Sequence, residues 1–141
     1  MIPAGLYLAD TSALARVGCS AVFAELDDLG RRGLLATCVT IDLEVLYSAR
    51  SPPEYAAIAR RRAIGFTDLP LHPDIARRAR FTQAALARRS QHRAAGVVDL
   101  LTAAVAEHHR AVVLHYDRDF EHIAAVTGLQ ARWIVPPGTA D

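Results

Sequence analysis

The sequence predicts an α/β protein in which helices cover both faces of a parallel sheet. Short apolar runs, typical of buried strands, alternate along the chain with longer segments whose apolar residues recur at helical spacing. Hydrophobic residues make up 52% of the 141 residues, which is enough to bury such a sheet in one domain. Because no repeat and no linker interrupts the alternation, we expect a single three-layer domain that spans residues 1–141.

The first half of the chain is predicted to contain two strands and four helices. In order, the segments are strand 6–9, helix 12–17, a helix from residue 20 to the glycines at 30 and 33, strand 34–39, helix 40–49 and helix 51–64. Ser12, Ser20 and Thr40 stand where N-caps are expected, because their hydroxyls can accept a hydrogen bond from the first helical turn. Ser51 precedes two prolines, a pattern that is also typical of a helix start.

The second half is predicted to contain three strands and three helices. In order, the segments are an edge-like strand within 66–71, a helix from 73 to 89, a polar connection over 90–96, helix 97–109, strand 111–114, a helix up to 126 and strand 131–135. The helix that ends at residue 126 can begin at Asp117 or at Asp119, since either aspartate is a good N-cap.

Composition excludes several classes of protein. All 16 basic residues are arginine and the net charge is only +1, so charge gives no global signal for nucleic acid or membrane binding. Cys19 and Cys38 lack the spacing of a zinc site, and we expect them and the scattered histidines to be structural. Without a membrane-length apolar run or a signal peptide, we expect a soluble, cytoplasmic protein with no membrane partner.

Several acids lie where an apolar core does not need them. They are Asp10, Glu44, Asp99, Asp117 and Asp119. Asp10 and Asp117 each follow an apolar strand, Glu44 lies on the apolar side of its helix, and Asp99 interrupts an apolar helix start. Each has an ordinary structural alternative as a helix cap, a first-turn acid favoured by the helix dipole, or the partner of an arginine at the core edge.

Taken together, these acids predict a metal site. The carboxyl ends of parallel strands meet at one edge of a sheet, so the carboxylates are expected to converge there. Converging carboxylates repel one another and must take up protons or be neutralised by a cation. Oxygen ligands select a hard ion such as Mg²⁺ or Mn²⁺, and such a site is suited to the hydrolysis of a phosphate ester.

Four segments of the chain carry a resemblance to a known family. They are residues 8–13, 40–45, 98–104 and 116–120. Their order, their spacing and the total length resemble PIN-domain ribonucleases, in particular the VapC toxins of bacterial toxin–antitoxin pairs. Each segment alone is a weak signal, whereas the ordered set is specific and covers nearly the whole chain.

The resemblance implies a PIN-like α/β/α sandwich around a five-stranded parallel sheet. Asp10, Glu44, Asp99 and Asp117 match the acidic quartet that surrounds Mg²⁺ or Mn²⁺ in the family, and they are the implied catalytic and metal-binding residues. Asp119 matches an additional acid of many members, and the Thr11 hydroxyl matches the one that orients the first acid. The implied activity is RNA cleavage, and the implied partners are a VapB-type antitoxin and a second copy of the chain.

Other functions remain as alternatives. A phosphoacceptor receiver domain also gathers acids at strand tips, but such domains use a lysine that this chain lacks. A haloacid dehalogenase-type hydrolase needs Asp-x-Asp, whereas the first strand here ends in Asp10-Thr11-Ser12. The remaining alternative is a PIN-like module that binds RNA or a partner with little or no turnover. The arginine clusters at 60–62 and 77–80 are predicted to be solvated helix faces, with RNA phosphate contact as the alternative.

Overall fold

Twelve secondary-structure elements follow one another in the computed structural model, which describes residues 2–141. In chain order they are β1 (Tyr7–Ala9), α1 (Thr11–Leu14), α2 (Ser20–Arg31), β2 (Leu35–Thr37), α3 (Val39–Tyr47), α4 (Pro52–Gly65), β3 (Thr67–Asp68), α5 (Pro73–Ala87), α6 (Val97–His109), β4 (Val112–His115), α7 (Asp119–Val126) and β5 (Gln130–Trp133). Every predicted strand and helix is present. In this part of the chain no helix is long and apolar enough to cross a lipid bilayer.

The five strands form one parallel sheet, as the resemblance implies, and their order is β3-β2-β1-β4-β5. Strand β1 lies at the centre, where Leu8 pairs with Ala36 of β2 on one side and with Val113 of β4 on the other. Strand β3 has only two residues and lies at one edge, which confirms the prediction of an edge strand within 66–71. The carboxyl ends of β1 and β4 are therefore neighbours.

Helices cover both faces of the sheet because side chains alternate between the two faces along each strand. Leu8 and Val113 point into an apolar cluster that includes buried residues of α3, α5, α6 and α7. Their neighbours Ala9 and Leu114 point the other way, into a cluster with buried residues of α1 and α2. This arrangement is the predicted three-layer sandwich.

Three of the predicted N-caps are wrong. Ser12, Ser20 and Thr40 are each the first or second residue of the helix that they were expected to precede. At the first of these helices, Asp10 is itself the N-cap, since its side chain accepts a hydrogen bond from the backbone N–H of Ser12. The helix therefore begins directly after the strand tip. Ser51 does cap α4 as predicted, with its hydroxyl accepting a hydrogen bond from the third helical residue.

The prediction that the arginine cluster 60–62 forms a solvated helix face is wrong for Arg62, which is buried. Its side chain is only 9% exposed, and its Nε–H donates to Asp42 at 2.8 Å. Its Nη2 donates to the hydroxyl of Thr37 at 2.8 Å, and the guanidinium lies 4.5 Å from the ring centroid of Phe66. The other two arginines of the cluster are exposed. Arg62 thus joins α4 to α3 and β2 and is not available to RNA.

Candidate active site

Three of the five acids singled out in the sequence lie together at the carboxyl edge of the sheet. Asp99, Asp117 and Asp119 each place a carboxylate oxygen so that all three atoms lie within 4.8 Å of one another. We call these three residues the acidic cluster. Asp117 lies in the turn after β4, Asp119 opens α7, and Asp99 lies in the first turn of α6. Asp10, at the tip of β1, is close enough for its charge to act on Asp99.

Asp10 is held by Ser12. Asp10 is only 4% exposed, and one of its carboxylate oxygens accepts from the backbone N–H of Ser12 at 3.0 Å and from the Ser12 hydroxyl at 2.6 Å. The same hydroxyl accepts a hydrogen bond from the backbone N–H of Tyr116 at 2.9 Å. Ser12 therefore fixes the tip of β1 to the segment that follows β4, and with it the spacing between Asp10 and Asp117.

The role that the resemblance implies for Thr11 belongs instead to Ser12. The hydroxyl oxygen of Thr11 is buried and has no hydrogen-bond partner among the residues described, whereas Ser12 makes the contact with Asp10. The physical reason is the position of Asp10 as N-cap, because an N-cap side chain reaches the residue two positions later. Sequence reasoning used Ser12 only as a cap. The signal that could have found its role is a hydroxyl two residues after an acid at a strand tip.

Asp117 is positioned by His115 and in turn positions Asp119. His115 is almost fully buried at the end of β4, and its Nδ1 accepts a hydrogen bond from the backbone N–H of Asp117 at 3.1 Å. Burial lowers the pKa of His115 to about 4, so the ring is neutral at physiological pH. One carboxylate oxygen of Asp117 accepts the backbone N–H of Asp119 at 2.9 Å. The two acids of the 116–120 segment are thereby held in a fixed relation.

Glu44 differs from its prediction. The sequence places it on the apolar side of its helix at the core edge, but the structure leaves it exposed. The core contacts of α3 come from Ile41 and Val45, whereas Leu43 and Tyr47, which lie beside Glu44 on the helix, are 61% and 92% exposed. The charge of Glu44 nevertheless contributes to raising the pKa of Asp10, so Glu44 belongs to the same electrostatic neighbourhood.

The acids destabilise one another's charged forms. Burial raises the pKa of Asp99 to about 7, with further contributions from the charges of Asp10, Asp117 and Asp119. Burial also raises the pKa of Asp10, against the opposing effect of its hydrogen bonds to Ser12. The pKa of Asp119 is raised by burial and by the charge of Asp117. In residues 2–141, none of these carboxylates forms an ion pair with an arginine or histidine.

These residues fit a divalent metal ion. Two ligands of one Mg²⁺ or Ca²⁺-sized ion lie at most about 4–5 Å apart, which matches the spacing of the acidic cluster, 4.8 Å or less. The donors are all carboxylate oxygens, which hard cations prefer. A hard cation would neutralise the charge that raises the pKa of Asp99.

A family comparison matches the PIN domain over residues 7–126 of the chain. The chain is 44% identical over 136 residues to Ribonuclease VapC21 of Mycobacterium tuberculosis, a match that covers 95% of this chain and 97% of the relative. It is also 44% identical over 138 residues to Ribonuclease VapC51 of the same species, covering 96% of this chain and 97% of that relative.

Solved structures share the fold. A structure of VapBC-1 from nontypeable Haemophilus influenzae aligns with a TM-score of 0.76 at 17% identity, covering 92% of this chain and 98% of that one. A structure of VapBC2 from Rickettsia felis, bound to a DNA fragment from the promoter, aligns with a TM-score of 0.73 at 12% identity, covering 90% and 97% of the two chains.

Proposed function

The chain belongs to the PIN-domain family, and from that premise we propose that it is a metal-dependent endoribonuclease, the toxin of a VapBC-type toxin–antitoxin pair. The family match and two relatives named as ribonucleases support the activity. The proposal depends most on the group of carboxylates at the carboxyl edge of the sheet, which forms no ion pair with an arginine or histidine within residues 2–141. Burial raises the pKa of Asp99 to about 7, and the charges of Asp10 and Asp117 add to this effect.

Each acid has a role in the proposed reaction. Asp99, Asp117 and Asp119 are the metal-binding acids whose oxygens already lie together, and Asp10 completes the site from the tip of β1. A bound Mg²⁺ or Mn²⁺ supplies Lewis-acid stabilisation of the scissile phosphate and lowers the pKa of a water molecule. The backbone N–H of Asp119 donates to Asp117, which leaves the Asp119 carboxylate free to serve as an additional ligand.

Glu44 is the exposed residue among the five acids, and we propose that its carboxylate acts on the attacking water. It lies at the solvent side of the site, so its carboxylate can orient a water molecule and accept its proton, or it can serve as a further ligand. In-line attack on the phosphodiester leaves a 5′-phosphate and a 3′-hydroxyl. Ser12 and His115 support the reaction indirectly by fixing Asp10 and Asp117.

The proposed partners are RNA as substrate, a VapB-type antitoxin and a second copy of the chain. The similar solved structures are named as VapBC systems, which supports an antitoxin as partner. A homodimer stays a prediction from the family resemblance.

The test is cleavage of a total-RNA pool by the purified protein in the presence of Mn²⁺. We expect cleavage in wild type, none in EDTA and none in Asp99→Asn at equal folded concentration, with 5′-phosphate ends on the products. If wild type binds RNA or an antitoxin but no variant or metal condition changes the RNA, the chain is the PIN-like binding module considered as the alternative.

A further inference from the structure

A cavity of about 390 Å³ adjoins the acidic cluster on the side of β4 and β5. Its walls include Tyr116, Asp117 and Arg118 from the segment after β4, Trp133 from β5, and Arg16 from the turn after α1. We call it the Arg16 pocket. Asp117 belongs to this pocket and also to the acidic cluster, so a ligand in the pocket lies directly beside the group that the cluster holds.

Arg16 forms no ion pair with a carboxylate of residues 2–141. Within residues 2–141, four arginines are not exposed, and three of them, Arg62, Arg78 and Arg132, pair with an acid. Arg16 is the fourth, and it has no such partner in that part of the chain. Because half-buried charges are normally paired, the site is suited to an anion that comes from outside the chain.

The guanidinium of Arg16 is held in a fixed orientation. Its Nη1 donates to the carbonyl of Ser12 at 2.8 Å, and its Nε donates to the carbonyl of Ala140 at 3.1 Å. The group lies 4.4 Å from the ring centroid of Tyr116. These contacts leave Nη2 without a hydrogen-bond partner in the described chain, and a guanidinium with free N–H donors is suited to phosphate oxygens. Arg118 is exposed and adds a second positive charge to the wall.

Aromatic rings form another part of the wall. The ring of Trp133 is half-buried and lies edge-on to Tyr116, with 5.3 Å between ring centroids. Its Nε1–H donates to Glu121 at 2.8 Å, which fixes the orientation of the indole. Asp141 also lines the pocket and accepts a hydrogen bond from the Tyr116 hydroxyl, so an anion would lie towards the arginines instead. Fixed aromatic rings beside cationic groups are how proteins commonly bind single-stranded nucleic acid.

We propose that the Arg16 pocket binds one nucleotide of the RNA strand next to the cleaved phosphodiester. Arg16 and Arg118 contact its phosphate, and Trp133 contacts its base. The size fits, because ligand pockets in proteins span ~300–1,000 Å³ and this one is about 390 Å³. The inference rests on the proposed function and deepens it, since it identifies where the enzyme holds and selects its substrate. Arg16 is accordingly a binding residue and not a catalytic one.

Trp133 provides a direct readout, because it is the only tryptophan in the chain. We would titrate AMP, CMP, GMP and UMP into the protein in EDTA and follow tryptophan fluorescence, excited at the red edge of its absorption. At least one nucleotide should quench the Trp133 fluorescence with a saturable dependence on its concentration. The corresponding nucleoside, which lacks the phosphate, should bind more weakly. Arg16→Gln should weaken binding by about tenfold or more, because it removes charge-assisted hydrogen bonds to phosphate.

Matched variants separate this effect from loss of structure. Arg61→Gln removes an exposed arginine of α4 and should leave the titration unchanged. Arg118→Gln changes an exposed side chain that cannot disturb the core, and it should weaken binding even if Arg16→Gln fails to fold. In RNA cleavage, Arg16→Gln should raise KM more than it lowers kcat.

The two proposals fail in different ways. If no nucleotide quenches the fluorescence, or if Arg16→Gln and Arg118→Gln both bind and cleave like wild type, the pocket proposal is wrong although cleavage persists. If nucleotides quench as expected but RNA is never cleaved, the pocket stands and the nuclease proposal is wrong.

Discussion

A carboxylate lies at each end of helix α6, and the two carboxylates lie in opposite electrostatic environments. Asp99 is in the first turn of α6, in the acidic cluster. Asp74 is in the first turn of α5 and contacts His108, in the last turn of α6, at 3.0 Å. Both aspartates have the helix-dipole position that explains many acids in proteins, yet only one of them needs a partner from outside the chain.

The neighbouring charges account for the difference. Asp74 accepts hydrogen bonds from Arg78 and His108, with Arg77 at 3.1 Å, and these contacts lower its pKa to about 2. At Asp99, burial and the charges of neighbouring acids raise the pKa to about 7. A carboxylate surrounded by cations is a structural group. A buried carboxylate among other carboxylates is costly in its charged form, and a bound cation would offset that cost. This difference is the physical basis for assigning function to this end of α6.

The largest expected effect separates the two aspartates in RNA cleavage. Asp99→Asn should lower kcat by on the order of a hundredfold or more, because a lost metal contact removes several kcal/mol of transition-state stabilisation. Asp74→Asn should leave kcat within about twofold, since its contacts are structural. Initial rates with Mn²⁺ at matched folded concentrations test this. Equal losses in the two variants would show that the comparison does not identify the active end of α6.

A second pair of variants, on α3, tests the same contrast between a functional and a structural acid. Glu44→Gln should lower kcat by roughly tenfold or more, because it removes the group assigned to the attacking water. Asp42→Asn should retain activity, because Asp42 contacts Arg62 and Thr37 and not the acidic cluster. It should instead cost about 1–3 kcal/mol in the free energy of unfolding, since Arg62 loses its charged partner. RNA cleavage rates and urea unfolding test these expectations. An Asp42→Asn enzyme as slow as Glu44→Gln would contradict the role assigned to Glu44.

A further test uses stability as a function of pH in EDTA. Asp99 is protonated below about pH 7 in the folded state, but only below its ordinary pKa of 3.8 when unfolded. The folded state therefore binds more protons between these values, and the free energy of unfolding contributed by Asp99 falls as the pH rises from about 4 to 7. Asp74 has the opposite sign, because its lowered pKa contributes stability that is lost as the pH falls below about 4.

Urea unfolding of the two variants across this pH range checks both signs. In Asp99→Asn the free energy of unfolding should no longer fall as the pH rises towards neutral. This variant should be more stable than wild type near pH 8 in EDTA. Asp74→Asn should lose stability at neutral pH and show a weaker dependence in acid. A wild type whose stability rises steadily from about pH 4 to 8, with no change in Asp99→Asn, would mean that the cluster carries no electrostatic strain.

The parts of the molecule that sequence could predict are those set by local pattern. An apolar run that ends in an acid predicts a strand tip, and the parallel sheet then brings Asp10 and Asp117 to one edge. The apolar start of α6 identified Asp99, the third of these acids, because an acid there interrupts an apolar segment. These inferences need only periodicity and a parallel sheet, which is why the sheet is parallel and why Asp99, Asp117 and Asp119 lie together at its carboxyl edge.

The parts that sequence could not predict depend on contacts between distant residues. Ser12 contacts Tyr116 across 104 positions, and Arg62 contacts Asp42 across 20. Helical periodicity places a residue on a face but does not say how wide the buried part of that face is, so the exposure of Glu44 was missed. For the same reason a run of arginines could not be divided into its one buried and two exposed members.

We infer that the acids around Asp99 require a divalent cation, and thermal unfolding tests this inference most directly. A ligand that binds only the folded state at a hundred times its Kd adds about 2.7 kcal/mol, which is a rise of several degrees in Tm for a domain of this size. We predict such a rise with millimolar Mn²⁺ over EDTA in wild type and in Asp74→Asn, and little or none in Asp99→Asn. Equal Tm values with Mn²⁺ and EDTA in wild type would contradict the claim, as would an undiminished rise in Asp99→Asn.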